Sequence, residues 1–180
     1  MRRLLTLPAN YMTKLEIATH GCLIGLCCLA GGLLIEQRFF SSEGQPSAPN
    51  LIGREVKLPG ADWQSAPVSV LLQISSTCEF CNESMPFYKH LLEVRQARSS
   101  RVAVIVASRD AVEVMRRHLD AQQVTVDKVL HSRLESLGTA TLTPTIYIVD
   151  SKGFVKRVFL GELDPSGENE VLSIVERGGI

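Results

Sequence analysis

Two cysteines separated by two residues are the part of this sequence best suited to chemistry. Cys78 and Cys81 form a Cys-Glu-Phe-Cys motif between a strand-like run, residues 68–74, and a helix-like run, residues 82–98. This order places both thiols at the amino end of a helix, where backbone N–H groups and the helix dipole favour a negative charge. Helix N-termini lower the pKa of a cysteine to about 3.5–7.5, and the thiolate is the nucleophile in disulfide exchange. The motif therefore predicts dithiol–disulfide exchange.

Other uses of a cysteine pair fit this sequence less well. A structural zinc site needs four ligands, usually with a second Cys or His pair at short spacing. The other cysteines, Cys22, Cys27 and Cys28, lie in an apolar segment, and no two histidines have zinc-binding spacing. A purely structural disulfide across so short a loop would add little stability.

The composition is that of a globular protein with one domain of ordinary size and some additional chain. The sequence has 180 residues, of which 45 % are hydrophobic, enough for a core. Its formal net charge is zero and its basic residues form no cluster, so nothing indicates a nucleic-acid partner.

An uncharged apolar segment near the N-terminus predicts a single transmembrane helix. Residues 17–35 carry no formal charge, and nineteen residues at about 1.5 Å each nearly span the ~30 Å hydrocarbon core of a bilayer. A cleaved signal peptide is the alternative, but the run is long for one and lacks an Ala-x-Ala site. More basic residues precede the segment than follow it closely: Arg2, Arg3 and Lys14 against Arg38. This bias favours a domain outside the membrane; in a bacterium, that is the periplasmic or extracytoplasmic side of the inner membrane, where disulfides persist.

The remaining organisation follows from this segment. An N-terminal tail, residues 1–16, precedes it, and a Ser- and Pro-rich linker, residues 36–50, joins it to a folded domain at 51–180. Gly21 and Gly25 have GxxxG spacing, which favours a weak homodimer through the transmembrane helix.

Within the domain, strand and helix patterns alternate. Strands are expected at 51–58, 68–74, 102–107, 124–130, 146–149 and 154–160, and helices at 82–98, 110–122, 132–137 and 165–177. Ser108 or Asp110 is expected to cap the second helix. Parallel strands with helical crossovers, followed by a hairpin, predict a three-layer α/β sandwich with a mixed central sheet.

With these motifs in place, residues 51–177 resemble the thioredoxin-like superfamily. Three features carry the resemblance: the Cys78–Cys81 pair at a helix start, Pro86 five residues later, and Thr143-Pro144-Thr145 directly before a strand. The resemblance implies a cis peptide before Pro144, close to the cysteine pair, with Thr143 presenting backbone groups to a substrate. Such a proline has no N–H to donate, so the neighbouring backbone stays open to a partner.

The sequence departs from the family at three positions. Thr77 stands where a tryptophan is common before the first cysteine. Leu72 replaces the buried aspartate of thioredoxins, and Ser84 replaces a glutamate common in the cytochrome-maturation reductases. The acid that would accept a proton from the second cysteine is therefore missing or replaced. Glu83 is one substitute, although its position also suits a solvated helix residue.

The resemblance implies a membrane-anchored bacterial thiol–disulfide oxidoreductase, similar to the proteins of cytochrome c maturation and methylamine-dehydrogenase maturation. Cys78 would attack and Cys81 would resolve, with protein thiols or disulfides as partners and no cofactor beyond the Cys78–Cys81 disulfide. The negative charge of Glu79 favours the reducing direction. The expected substrate-contacting residues are Thr77, Glu79, Phe80, Thr143 and Pro144.

Three alternatives remain, and the first two have the same fold. One is a redox-inactive binding module. Another is a copper-delivery module that would use His131 with the cysteine pair, although such proteins space their cysteines one residue further apart. A peroxiredoxin would need a proline and a threonine where Leu71 and Ser75 stand.

Overall fold

The computed structural model describes residues 51–134, 137 and 142–179, and a five-stranded sheet forms their centre. The strands are β1 Val68–Gln73, β2 Ala103–Ser108, β3 Lys128–His131, β4 Thr145–Asp150 and β5 Val155–Leu160. The α-helices within these residues are α1 Glu79–Glu83, α2 Met85–Ala97, α3 Val112–Ala121 and α4 Pro165–Arg177, and a 3-10 helix covers Trp63–Ser65.

The predicted mixed sheet is confirmed. Its strand order is β3-β2-β1-β4-β5; β1, β2 and β3 run parallel, and β4 and β5 are antiparallel to their neighbours. α2 and α3 provide the crossovers that parallel neighbours require. Because Gln73 of β1 pairs with Ala107 of β2, the carboxyl ends of these two strands lie side by side, and the cysteine motif begins at that edge.

Both faces of the sheet are covered, by different kinds of structure. On one face, Val70 and Leu72 of β1 share a core with Tyr88, Met115 and Ile174 from α2, α3 and α4. The opposite face packs against segments that precede β1 and β4 in the chain, and its core contains Leu71, Ile105, Tyr147, Leu51, Val56, Leu58, Leu134 and Leu137. Strands β1 and β2 are almost continuously apolar because they are buried on both sides.

The strand predicted at 51–58 is wrong, although the inward residues of that segment are buried as its pattern suggests. The chain there forms one isolated bridge, between Glu55 and Phe154. Gly53 turns the backbone with a φ of +82°, and its N–H donates to Val155 O at 2.7 Å. The turn prevents an extended ladder, so this segment contributes burial to the sheet rather than a full strand.

The first predicted helix starts earlier than expected and is interrupted. It begins at Glu79 instead of Asn82, and Ser84 separates α1 from α2. Pro86 lies in the first turn of α2. Because proline has no N–H, it cannot donate the hydrogen bond that would continue α1 into α2.

Several other boundaries also differ from prediction. α3 begins at Val112, after Ala111, with no side-chain cap, so the caps predicted from Ser108 and Asp110 are wrong. Of the strand expected at 124–130, only residues 128–130 are in a strand, which ends at His131 as β3. The helical turn expected at 132–137 lies partly outside the described residues. The closing helix α4 has its predicted bounds.

In the described part of the chain, no helix has the length and apolar character needed to cross a bilayer. The predicted tail 1–16, transmembrane helix 17–35 and linker 36–50 all lie outside that part. They remain predictions.

Candidate active site

The cysteine pair lies where β1 passes into α1. Cys78 is the N-cap of α1, with extended backbone, and its Sγ accepts a hydrogen bond of 3.2 Å from the Cys81 N–H. The Cys78 carbonyl accepts from the Asn82 N–H at 3.2 Å, the first bond of the helix. Cys78 and Cys81 form a disulfide with Cα atoms 5.2 Å apart.

The two sulfur-bearing residues differ in exposure. Cys81 is fully buried in the core that the helices form with the sheet, whereas Cys78 is half-buried at the surface. Cys78 is therefore the more exposed residue of the pair. A partner protein can therefore reach the disulfide through Cys78.

The loop before β4 stands against the cysteine pair. The Thr143–Pro144 peptide bond is cis, as predicted, and Thr143 O lies 3.5 Å from Cys78 Sγ. Pro144 is buried, and its carbonyl accepts from the Gly161 N–H at 2.8 Å, which ties this loop to the end of β5. The structure thus brings together the cysteine motif and the Thr143–Pro144 loop, which are far apart in the chain.

The loop between β1 and Cys78 is held by Asp110, one of the two residues predicted to cap the second helix. Asp110 Oδ2 accepts from the Ser76 N–H at 2.7 Å and lies 3.3 Å from the Ser75 hydroxyl. Ser75 Oγ is in turn 3.2 Å from Thr77 Oγ1, next to Cys78. The sequence could have indicated this contact only by position. Ser75 and Ser76 follow β1 and Asp110 follows β2, at the carboxyl ends of adjacent parallel strands.

Asp110 also connects its own loop to β3. Its N–H donates to Ser108 Oγ at 3.1 Å, and its carbonyl oxygen lies 3.0 Å from His131 Nδ1. Burial acts to raise the pKa of the Asp110 carboxyl, but hydrogen bonds from Ser76, Ser108 and Ser75 outweigh it and lower the pKa. The carboxylate is therefore ionised at neutral pH.

A cavity of about 440 Å³, lined mainly by polar residues, opens beside Cys78. It is lined by Gln73, Ile74, Ser75, Thr77, Cys78, Arg109, Asp110, Ser132 and Thr143. Two of the predicted substrate-contacting residues, Thr77 and Thr143, are thus part of the same concavity as the accessible cysteine.

The residues between the cysteines point to solvent. Phe80 is 56 % exposed and Glu79 is exposed. Leu142, two residues before Pro144, is 49 % exposed. Exposed large apolar side chains next to a reactive group are typical of docking surfaces.

The position of the missing acid is filled by apolar packing. Leu72 is fully buried, and Glu83 is exposed on α1. In the described ranges the buried polar side chains are Ser69, Gln73, Ser84, Ser108 and Thr145, none of which is a carboxylic acid. The exposure of Glu83 agrees with a solvated residue rather than with a buried proton acceptor.

No group of three or more His, Cys, Asp or Glu side chains suited to a metal ion occurs among the residues that the structure describes. Nδ1 of His131, the residue considered for copper, lies against the Asp110 carbonyl instead.

Comparisons with known proteins establish the fold. No family model and no curated protein matches the chain. Among solved structures, the chain is similar to a candidate thiol:disulfide interchange protein DsbE from Chlorobium tepidum, with a TM-score of 0.53 and 19 % identity over 71 % of this chain and 96 % of that one. A secreted thiol-disulfide isomerase from Corynebacterium glutamicum has a TM-score of 0.53 and 18 % identity over 70 % and 81 % of the two chains. For a candidate protein disulfide isomerase from Bacteroides thetaiotaomicron, the values are 0.52 and 16 %, over 63 % and 74 %.

The class that these observations define is the thioredoxin-like fold. The predicted resemblance to that superfamily is confirmed at the level of the fold. Within it, this chain has a CxxC disulfide at a helix start and a cis-proline loop beside it.

Proposed function

We propose that the protein is a thiol–disulfide oxidoreductase that exchanges disulfides with partner proteins through Cys78 and Cys81. The observation that carries the proposal is the asymmetry of the disulfide. Cys78 Sγ is accessible and accepts a hydrogen bond from a backbone N–H, whereas Cys81 is fully buried. The solved proteins of similar fold are named for thiol–disulfide exchange, which supports the same activity here.

In the reducing direction, the reaction begins with the reduced pair. The Cys78 thiolate attacks one sulfur of a partner's cystine, the partner's S–S bond breaks, and its other sulfur leaves as a thiolate. The Cys81 N–H, 3.2 Å from Cys78 Sγ, stabilises the attacking charge. The product is a mixed disulfide between Cys78 and the partner.

The second step releases the partner. Cys81 loses its proton and attacks Cys78 Sγ; the mixed disulfide breaks and the second partner sulfur leaves as a thiolate. Two electrons have moved to the partner, and the Cys78–Cys81 disulfide of the structure is regenerated. Because the described residues include no buried carboxylate, we assign the proton of Cys81 to the departing thiolate or to water.

The partner's chain would dock around the accessible sulfur. Thr77 and Thr143 line the cavity that contains Cys78. The exposed Glu79 and Phe80 directly follow Cys78 in the sequence. Thr143 O, 3.5 Å from Cys78 Sγ, would accept a backbone N–H from an extended partner segment. The buried Pro144 would hold this loop in place.

The exposed carboxylate of Glu79 supports the reducing direction. It stands next to Cys78, where a negative charge disfavours the thiolate. A unit charge at about 7 Å in water changes the thiolate's free energy by about 0.6 kcal/mol. The expected potential is nearer about −270 mV than about −120 mV, the values of reducing and oxidising members of this fold.

We also propose that residues 17–35 anchor the domain on the extracytoplasmic side of the bacterial inner membrane. The uncharged run and the basic residues before it support this arrangement. Exported proteins with cystines, such as apocytochromes c, would then be the substrates. In spheroplasts, added protease should degrade the domain without lysis; a domain that is protected until lysis would contradict the orientation.

Insulin reduction tests the activity. The full-length protein in detergent, with dithiothreitol as electron source, should accelerate insulin precipitation, and Cys78→Ala should reduce the rate to that of dithiothreitol alone. Cys22→Ala, which leaves the CxxC pair intact, is the control and should retain the activity. Equal rates for the wild type and Cys78→Ala would overturn the proposal.

A further inference from the structure

The backbone before Cys78 is anchored by one side chain from another loop. Asp110 Oδ2 accepts from the Ser76 N–H at 2.7 Å, across 34 positions of sequence. The same oxygen is 3.3 Å from Ser75 Oγ, which also lies 3.4 Å from the Thr77 N–H. A carboxylate that accepts a backbone N–H is a charge-assisted bond, stronger than a neutral one.

Cys78 depends on this anchored stretch for its position. Its N–H donates to Ser75 O at 3.2 Å, and its Sγ meets the Cys81 N–H at 3.2 Å and stands 3.5 Å from Thr143 O. If the stretch 75–77 moved, the sulfur would leave the N–H that stabilises its charge. Misplacement of a reacting group by about 1 Å can cost about 100-fold in rate.

We propose that Asp110 is a positioning residue: by bonding the Ser76 N–H it holds Cys78 Sγ against the Cys81 N–H and thereby keeps the thiol acidic and reactive. Asp110 is itself fixed from behind by Ser108 Oγ and by the contact of its carbonyl with His131. The inference rests on the proposed role of Cys78 as nucleophile.

The sign of the effect separates positioning from simple electrostatics. Loss of a nearby negative charge, by itself, stabilises the thiolate and lowers the pKa of Cys78. Loss of positioning removes the N–H from the sulfur and raises that pKa. Asp110→Asn removes the charge but keeps an oxygen that can accept from Ser76, whereas Asp110→Ala removes both.

The experiment measures the rate of Cys78 alkylation by iodoacetamide from pH 4 to pH 10 on the reduced full-length protein. Fragmentation mass spectrometry separates Cys78 from the other four cysteines. The titratable neighbours are Cys81, Glu79, Arg109 and His131, and they are the same in every variant. Asp120→Ala, which removes an exposed carboxylate from α3, is the matched control.

Asp110→Ala should raise the midpoint of the alkylation profile and lower the rate at pH 7 by about three- to tenfold, because a rise of about one unit in a pKa near 7 lowers the thiolate fraction at pH 7 by about that factor. Asp110→Asn should lie much closer to the wild type, and Asp120→Ala should match it. Hydrogen–deuterium exchange of the Ser76 backbone N–H should be faster in Asp110→Ala than in Asp110→Asn.

Two results would overturn the inference: an Asp110→Ala midpoint at or below that of the wild type, or an Asp110→Asn midpoint raised as far as that of Asp110→Ala. If Asp110→Ala does not fold, Asp110→Ser, whose hydroxyl is too short to reach Ser76, replaces it under the same criteria. A wild-type Cys78 that titrates like free cysteine would instead contradict the proposed function, so the two failures are distinguishable.

Discussion

Cys78 Sγ lies 3.5 Å from the carbonyl oxygen of Thr143, a residue 65 positions further along the chain. The contact joins the helix start that carries the disulfide to the cis-proline loop before β4. A partner segment that bonds to the Thr143 backbone would therefore place its own sulfur next to Cys78. Under the proposed function, this relationship would favour cystines in extended chain as substrates.

Neutralising Glu79 should make the protein a stronger oxidant. Glu79→Gln removes an exposed charge beside Cys78 and stabilises the reduced thiolate. The expected shift is about 10–15 mV towards positive potential, which corresponds to about 0.6 kcal/mol for two electrons. Equilibration with glutathione buffers measures it, with Glu113→Gln on α3 as the control; a shift to a more negative potential would contradict the assigned effect of Glu79.

Truncating Phe80 should weaken protein substrates selectively. Its side chain is 56 % exposed, so Phe80→Ala should leave the Tm nearly unchanged while KM for insulin rises about fivefold, the effect of losing about 1 kcal/mol at an interface. Turnover of a small disulfide reagent should not change. Val114→Ala, also at an exposed apolar position, is the control; equal losses with both kinds of substrate would show that Phe80 supports the cysteine loop rather than docking.

The turn between β4 and β5 should contribute stability that depends on pH. Asp150 Oδ1 accepts from the N–H groups of Lys152 and Phe154 at 2.9 Å each, and Oδ2 lies 3.0 Å from Lys156 Nζ. Burial acts to raise the pKa of Asp150, but the bonds from Phe154, Lys156 and Lys152 lower it overall. Because the folded pKa is depressed, this stability is present above the unfolded value of about 3.9 and is lost as pH falls through the folded pKa.

Asp150→Asn should therefore lower the free energy of unfolding by about 1 kcal/mol at pH 7, since charged hydrogen bonds are replaced by neutral ones. Urea denaturation at several pH values measures the difference, which should shrink below about pH 4. Asp120→Asn is the control. A difference that is the same at pH 7 and at pH 3 would show that ionisation of Asp150 does not matter.

Two glycines with the same backbone conformation should tolerate alanine very differently. Gly153 and Gly53 have φ values of +86° and +82°. A Cβ on Gly153 would lie 2.9 Å from Cδ1 of Trp63, whereas a Cβ on Gly53 would meet nothing within 4 Å. Gly53→Ala should cost about 1–2 kcal/mol for the left-handed conformation alone. Gly153→Ala should cost more, because the indole must also move; equal costs by thermal unfolding would refute the predicted clash.

The elements that could be predicted from sequence are those with strong local signals. The apolar runs of β1 and β2, the turn before β5 and the helix from Pro165 to Arg177 are each specified by residues close in the chain. The cysteine motif and Pro144 were identified in the same way, and the structure brings Cys78 and the loop before Pro144 into contact.

What escaped prediction depends on distant contacts. The sequence predicts Ser108 or Asp110 as a helix cap because a polar residue before a helical pattern normally has that role. The partner of Asp110, Ser76, is 34 positions away and becomes a neighbour only when β1 and β2 pair. The segment at 51–58 has a strand-like pattern, but the backbone turn at Gly53 limits it to a single bridge.

The most direct test of disulfide exchange is covalent capture of partners. In Cys81→Ser, the mixed disulfide cannot be resolved, so adducts that run apart from the monomer on non-reducing gels and disappear on reduction should accumulate at Cys78. Cys78→Ser retains the same N-terminal cysteines and should give almost none. Capture by Cys78→Ser at the same level as by Cys81→Ser, or adducts mapped by mass spectrometry to a cysteine other than Cys78, would contradict the central claim.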